Sequence, residues 1–280
     1  MFYLFNRFIQ MKILLNNVDL NEALSGVSDL GFVPTMGSLH NGHISLIKKS
    51  KKQCKKTIVS IFVNPSQFNK KKDFIKYPRN NKKDILILKK LNVDFLYMPK
   101  INQVYSSIQR KKIVLLNKNK ILCAKFRKGH FEGVLDIMDR LTSLIKPKKI
   151  FMGEKDYQQL HLVKNFIEKK YSSKIISCKT IRDKNKLALS SRNLLLKEKE
   201  LIIAGKIAQS LFNLKKLLKN KNNIKDIIDT IKNDLMNFYS IKIEYLELRN
   251  KKNLTISEKI KNSKIFIAYY LNKIRLIDNF

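Results

Sequence analysis

Two of the chain's four histidines stand three residues apart in FVPTMGSLHNGHISLI, Phe32 to Ile47, a stretch free of charged side chains in a protein of formal charge +36. GFVPT reads as a strand and the residues after Gly42 as a helix. MGSLHNGH then lies at a strand-to-helix turn, where an open α/β sheet binds ligands beyond the carboxyl ends of its strands. Gly37 and Gly42 permit a tight turn and close approach of the backbone to a ligand, and the N–H groups of a helix start favour phosphate. His40 and His43 can donate hydrogen bonds to phosphate oxygens or carry a proton as charge develops there. On the residues alone two other uses stay open: a metal site, which lacks an obvious third ligand, and a satisfied structural pair.

Three further segments carry polar side chains at the ends of expected strands. FVNPSQF ends an uncharged run with Asn64 and Gln67, amides that can recognise substrate hydroxyls without adding charge, or simply cap a turn. GEKDYQQL, Gly153 to Leu160, offers Lys155 to neutralise phosphate and Gln159 for the same use as Gln67; a helix start with acids in its first turn is the alternative. LALSSRN, Leu187 to Asn193, places two hydroxyls and the Arg192 guanidinium together, suited to clamping a polyphosphate.

Elements that position such residues alternate along the chain. Strands are expected at MKILL, GFVPT, TIVSIFV, VDFLYMP, KIFMG and KIISCKTI, and helices after Gly42, over Asp84–Leu91 and over Gln158–Lys169. Phe131, Val134, Leu135, Met138, Leu141 and Ile145 recur at three and four residues, an amphipathic helix that stops before Pro147. The alternation predicts an α/β fold, a Rossmann-like parallel sheet with helices on both faces. After Arg192 two helices, Lys197–Asn220 and Ile224–Phe238, precede the strand candidates IKIEYLEL and SKIFIAYYL, which predicts a smaller α+β C-terminal domain. The expected division is residues 1–179 and 180–280. Residues 1–10 read as an extension before a start at Met11.

Composition sets the background. Of 280 residues, 58 are Lys or Arg and 22 are Asp or Glu, a balance that attracts polyanions and raises the question of an RNA partner. The cations are scattered between apolar segments, with neither an arginine-rich arm nor an aromatic-basic signature, so no specific nucleic acid is expected. Cys54, Cys123 and Cys178 stand far apart without a CxxC pair, which disfavours a disulfide framework and fits a reducing cytoplasm. No segment reads as long and apolar enough to cross a bilayer.

In their order, VPTMGSLHNGH, VSIFVNPSQF, YPR, KGHFEGV, MGEKDYQQL, LALSSRN and IRLIDN closely resemble the pantothenate synthetase, or pantoate–β-alanine ligase, family. That family is related to the HxGH nucleotidyltransferases. The resemblance implies ATP-dependent condensation of pantoate with β-alanine through a pantoyl adenylate, releasing AMP and diphosphate, in a cytoplasmic homodimer whose smaller domain closes over the site. It implies ATP contacts at Met36, Gly37, Ser38, Leu39, His40, Asn41, Gly42 and His43, at Gly153, Glu154, Lys155 and Asp156, at Ile181, and at Leu189, Ser190, Ser191 and Arg192. His43 takes the proton-donor position, with His40, Lys155 and Arg192 acting on the phosphates. Gln67 and Gln159 match the pantoate contacts, Gln67 also lying by β-alanine. Mg²⁺ would bridge the ATP phosphates, with Asp84 as a contributing ligand. Lys128, Asn272 and Ile274 depart from the family's usual proline, glycine and threonine, and bear on loop geometry and lid packing.

Overall fold

The uncharged runs up to Cys178 form one six-stranded sheet in the computed structural model, which describes residues 10–68, 71–105 and 112–280. Residues 1–9, most of the expected extension, lie outside the described residues. The elements are β1 (Lys12–Leu14), α1 (Asn17–Leu24), β2 (Leu30–Thr35), α2 (Asn41–Gln53), β3 (Lys56–Ile61), α3 (Lys71–Ile75), α4 (Asn81–Lys90), β4 (Phe95–Tyr97) and α5 (Ile101–Val104). They continue with α6 (Cys123–Phe126), α7 (His130–Ile145), β5 (Lys149–Gly153), α8 (Tyr157–Lys170) and β6 (Lys174–Cys178). Strand order is β1-β4-β3-β2-β5-β6 and every pair is parallel. The direction of the order reverses between β2 and β5, so their carboxyl ends open the crevice in which doubly wound sheets bind ligands.

Alternation along the central strands explains why they contain almost no charge. Phe32, Ile58 and Ile150 point to the face covered by α1, α7 and α8, while Val33, Val59 and Phe151 point to the face covered by α2 and α4. All six side chains are fully buried. A lysine on either face would enter an apolar layer, at a cost no solvated partner offsets. Helix α4 begins earlier than the pattern of apolar residues suggests because the Asn80 side chain accepts the Lys83 N–H and caps it.

The C-terminal part contains α9 (Glu198–Leu217), α10 (Ile224–Tyr239) and an antiparallel sheet of β7 (Lys242–Asn250), β8 (Ser263–Leu271) and β9 (Ile274–Asn279), ordered β7-β8-β9. Strand β9 and helix α1 add to the expected elements. One face of the small sheet, including Ile243, Leu248, Ile265 and Ile267, packs with Ala204, Ile207 and Leu211 of α9 and Ile228 of α10. Its other face sends Tyr245, Phe266 and Ala268 into the core shared with α7 and α8. The small sheet is therefore buried on both sides and joins the helical layer to the large sheet.

The family departures fit their places. Asn272 and Lys273 form the two-residue link between β8 and β9, where Asn272 takes φ 50°, a left-handed conformation that asparagine tolerates in place of glycine. Ile274 packs against the core of α9 and α10. Lys128 is exposed and precedes Gly129 at the start of α7.

Candidate active site

The turns after β2, β3 and β5 and the loop after β6 meet around one cavity of about 240 Å³. Fourteen of the expected site residues line it: Met36, His40, Gly42 and His43; Gln67; Gly153, Lys155, Asp156 and Gln159; Ile181, Leu189, Ser190, Ser191 and Arg192. Gly37, Ser38, Leu39, Asn41, Glu154 and Asp84 are not among the lining residues. Leu39 instead packs in the core beneath α2.

Local backbone geometry explains the difference. Gly37 and Ser38 take φ of 81° and 53°, two successive left-handed residues that turn the chain sharply after β2. The N–H groups of Ser38 and Leu39 then point at Asp84, donating to its two carboxylate oxygens at 2.7 and 2.8 Å. A turn of this kind makes a concave anion site. Here the protein's own carboxylate fills it, and Asp84 is only 1% exposed. The expectation that the Ser38 and Leu39 amides meet ATP does not fit this arrangement, since both are already engaged. Nor do both Asp84 oxygens remain free for Mg²⁺. Among the described residues no group of three His, Cys, Asp or Glu side chains is placed to hold a metal.

The two histidines form a reciprocal pair at the start of α2. His40 Nδ1 accepts the Gly42 N–H at 3.1 Å, and His43 Nδ1 accepts the His40 N–H at 3.3 Å. Their ring centroids are 4.2 Å apart. With each Nδ1 held as an acceptor, the neutral tautomer carries its proton on Nε2, which leaves two N–H donors for a ligand. Burial and the Lys155 cation push His40 down to about 4. Burial, His40 and Lys155 push His43 down to about 3. Both are neutral at pH 7 in the free protein.

Gln67 sits on the turn after β3, and the KGHFEGV segment buttresses that turn. Asn64 donates through Nδ2 to Gly133 O at 3.0 Å, and a Cβ on Gly133 would lie 2.6 Å from Ser66 O, so no other residue allows α7 to approach this closely. His130 Nδ1 donates to Gln67 O at 2.7 Å, while its Nε2 accepts from Arg127 at 2.8 Å. The Gln67 amide nitrogen lies 2.7 Å from Met36 Sδ, a weak acceptor that a substrate oxygen can displace. Of the adjacent glutamines in α8, Gln159 faces the cavity, whereas Gln158 is buried and donates to Asn119 O and Ile121 O.

Asn64, an amide open to either of two uses from the sequence, lines the cavity as well. So do Tyr77, Arg127 and His130, to which sequence reasoning assigns no role. Arg127 and His130 lie in and beside KGHFEGV, where a glycine before a histidine at a helix start is a usable signal. Electrostatically, Arg127, Lys155, Lys179 and Arg192 face a single carboxylate among the lining residues, Asp156. The cavity suits anionic ligands.

His130 is pushed down to about 3 by burial and the neighbouring Arg127 guanidinium. Unfolded histidine protonates near 6.5, but His43 and His130 stay neutral in the fold, so acid favours the unfolded chain. Their contribution is fully present above pH 6.5 and falls by about 1.4 kcal/mol per pH unit per group as pH drops toward their folded values. Thermal melting between pH 7 and 5 should therefore show a steadily falling midpoint; a flat profile would refute the burial account.

Comparison with known proteins agrees with the geometry. A family model described as pantoate–β-alanine ligase matches residues 9–280. A pantothenate synthetase of Campylobacter hominis is 39% identical over 273 residues, spanning 96% of this chain and 99% of that protein. One of Clostridium botulinum is 41% identical over 262 residues, 90% of each. The crystal structure of the Thermus thermophilus pantothenate synthetase superposes with TM-score 0.90 at 26% identity, covering 96% of this chain and 99% of that one. The pantoate–β-alanine ligase of Francisella tularensis, solved in complex with beta-gamma ATP and β-alanine, gives TM-score 0.80 at 37% identity, covering 96% and 97%. By family model, sequence identity and fold, the chain belongs to the pantoate–β-alanine ligase family.

Proposed function

We propose that the protein joins pantoate to β-alanine at the expense of ATP, through a pantoyl-adenylate intermediate. The observation that carries this reading is one cavity joining the His40–His43 pair and the Lys155 and Arg192 cations to the uncharged amides of Gln67 and Gln159. In the first step a pantoate carboxylate oxygen attacks the α-phosphorus of ATP, and the bond to the β-phosphate bridging oxygen breaks, releasing diphosphate. In the second, the β-alanine amine attacks the activated acyl carbon, AMP leaves, and the amine loses a proton. ATP and the two substrates supply every reacting atom, so the protein's task is positioning, charge stabilisation and exclusion of water.

His40 and His43 direct Nε2–H groups at the phosphates, Lys155 and Arg192 stabilise the charge that grows on them, and Ile181 with Leu189 to Arg192 walls the nucleotide. Gln67 and Gln159 orient pantoate. Asp84 is assigned to holding the loop between β2 and α2. Mg²⁺ carried by the ATP phosphates requires few protein ligands, and Asp156 is the carboxylate among the lining residues that can supply one. Bound there, the ion would neutralise phosphate charge. Residues 180–280 act as the closing domain, and the enzyme works as a cytoplasmic homodimer, as the family resemblance implies.

The test is pyrophosphate release. It should require pantoate and Mg²⁺, and pantothenate with AMP should appear only when β-alanine is added. Folded protein that releases pyrophosphate with another acid in pantoate's place would sink the assignment. Gln67→Ala should raise the KM for pantoate about tenfold, the value of one hydrogen bond, with the KM for ATP little changed. Unchanged pantoate dependence would refute the placement of Gln67.

A further inference from the structure

The final strand carries two adjacent residues, Asp278 and Asn279, that bond to two separate segments in or beside the cavity lining. Asn279 is 3% exposed, and its Nδ2 donates to two successive carbonyls of the GEKD turn, Glu154 O at 2.8 Å and Lys155 O at 2.9 Å. Its Oδ1 accepts from Lys264 Nζ at 2.9 Å, and Lys264 also pairs with the Glu154 carboxylate at 3.6 Å. Both donors and the acceptor of the side chain are thus in use. Asp278 accepts two hydrogen bonds from Arg182, at 2.7 and 2.9 Å. Arg182 follows Ile181 directly and lies over the rings of Phe212 and Phe280, 5.0 and 4.6 Å from their centroids. The same segment joins the Ser-Ser-Arg loop, because Leu189 N–H donates to Ile181 O at 2.9 Å.

We infer that β9 acts as a strap that assembles the nucleotide site, with Asn279 as the positioning residue for Lys155. This rests on the proposed adenylation chemistry and extends it. The Lys155 turn and the Ile181–Arg192 wall are separate loops after β5 and β6, and the described contacts tie each of them to the same strand of the C-terminal sheet. Docking of that sheet and readiness of the phosphate site become one event. The fork needs a primary amide at this reach. Aspartate would set an oxygen against two carbonyls, and alanine would leave both without their donor.

Two measurements decide it: hydrogen exchange over Gly153–Tyr157 without substrate, and single-turnover pyrophosphate release with ATP and pantoate. In N279A, exchange over this turn should rise while the central strands keep their protection, and kcat for adenylation should fall about tenfold or more with pantoate KM held within about threefold. N279D should behave at least as badly. K264M, which removes the support of Asn279 together with the Glu154 ion pair and the contact with the Tyr157 ring, should shift both readouts in the same direction by less, and it stands in if the Asn279 variants do not fold. Unchanged exchange at the turn, or wild-type kcat in a variant whose exchange has risen, overturns the strap. If the wild-type protein releases no pyrophosphate with pantoate, the adenylation reading fails, and the exchange result still decides whether Asn279 holds the turn.

Discussion

His43→Ala should slow pyrophosphate release in a single turnover about 100- to 1000-fold, the usual effect of removing one preorganised donor to a developing oxyanion. The affinity for ATP should change far less, because most phosphate contacts in the cavity, including those open to Lys155 and Arg192, survive the substitution. The reason lies in how the ring is held: its Nδ1 accepts the His40 N–H, which orients Nε2 as the free donor and keeps it there before the substrate arrives. With the ring pushed down to about 3 by burial, His40 and Lys155, the free enzyme carries a neutral imidazole, so in the proposed reaction the group would act first as a hydrogen-bond donor and take up a proton only once phosphate charge offsets those effects. His43→Gln separates the two roles, since it keeps an N–H donor that cannot hold an extra proton. Recovery of a large part of the lost rate in His43→Gln is expected. A loss equal to that of alanine would assign proton transfer as the essential act, and an unchanged rate in His43→Ala would remove His43 from the chemistry.

The contrast between those residues and Asp84 shows what a sequence can reveal. Buried parallel strands are legible because both of their faces must be apolar, which is why TIVSIFV and KIFMG stand out in a lysine-rich chain. The HNGH turn is legible because a strand and a helix flank it. Strand β9 is hard to read as an element because it follows its neighbour after two residues and without a glycine, Asn272 supplying the left-handed φ instead. Helix α1 escapes because NVDLNEAL is short and buries only Leu20. The role of Asp84 is a contact across 45 and 46 residues, and nothing in the local sequence distinguishes a carboxylate that accepts backbone N–H groups from one that binds a cation. Likewise the sequence assigns His130 no role, and only the fold sets it against the carbonyl of Gln67.

Asp84→Ala should be among the most damaging single changes in the protein although the residue does not line the cavity. It would leave the buried N–H groups of Ser38 and Leu39 without an acceptor, at about 1–3 kcal/mol each. It would also free the left-handed Ser38, a conformation that a non-glycine residue keeps only when its surroundings hold it there. As the loop relaxes, Met36 and His40 move with it, and displacement of catalytic groups by about 1 Å is enough to cost about 100-fold in rate. Asp84→Asn preserves size but offers one oxygen where two are needed and sets an amide N–H₂ against a backbone N–H, so it should retain the fold with a lowered melting midpoint and still lose most adenylation activity. Magnesium makes the result decisive. If Asp84 were a metal ligand, raising Mg²⁺ should restore part of the rate in Asp84→Asn and leave the melting midpoint unaffected by the substitution. A buried loop anchor predicts the reverse: a destabilised protein whose activity excess Mg²⁺ does not rescue, and whose defect extends to the binding of ATP analogues in metal-free buffer, where a lost metal ligand would have no effect.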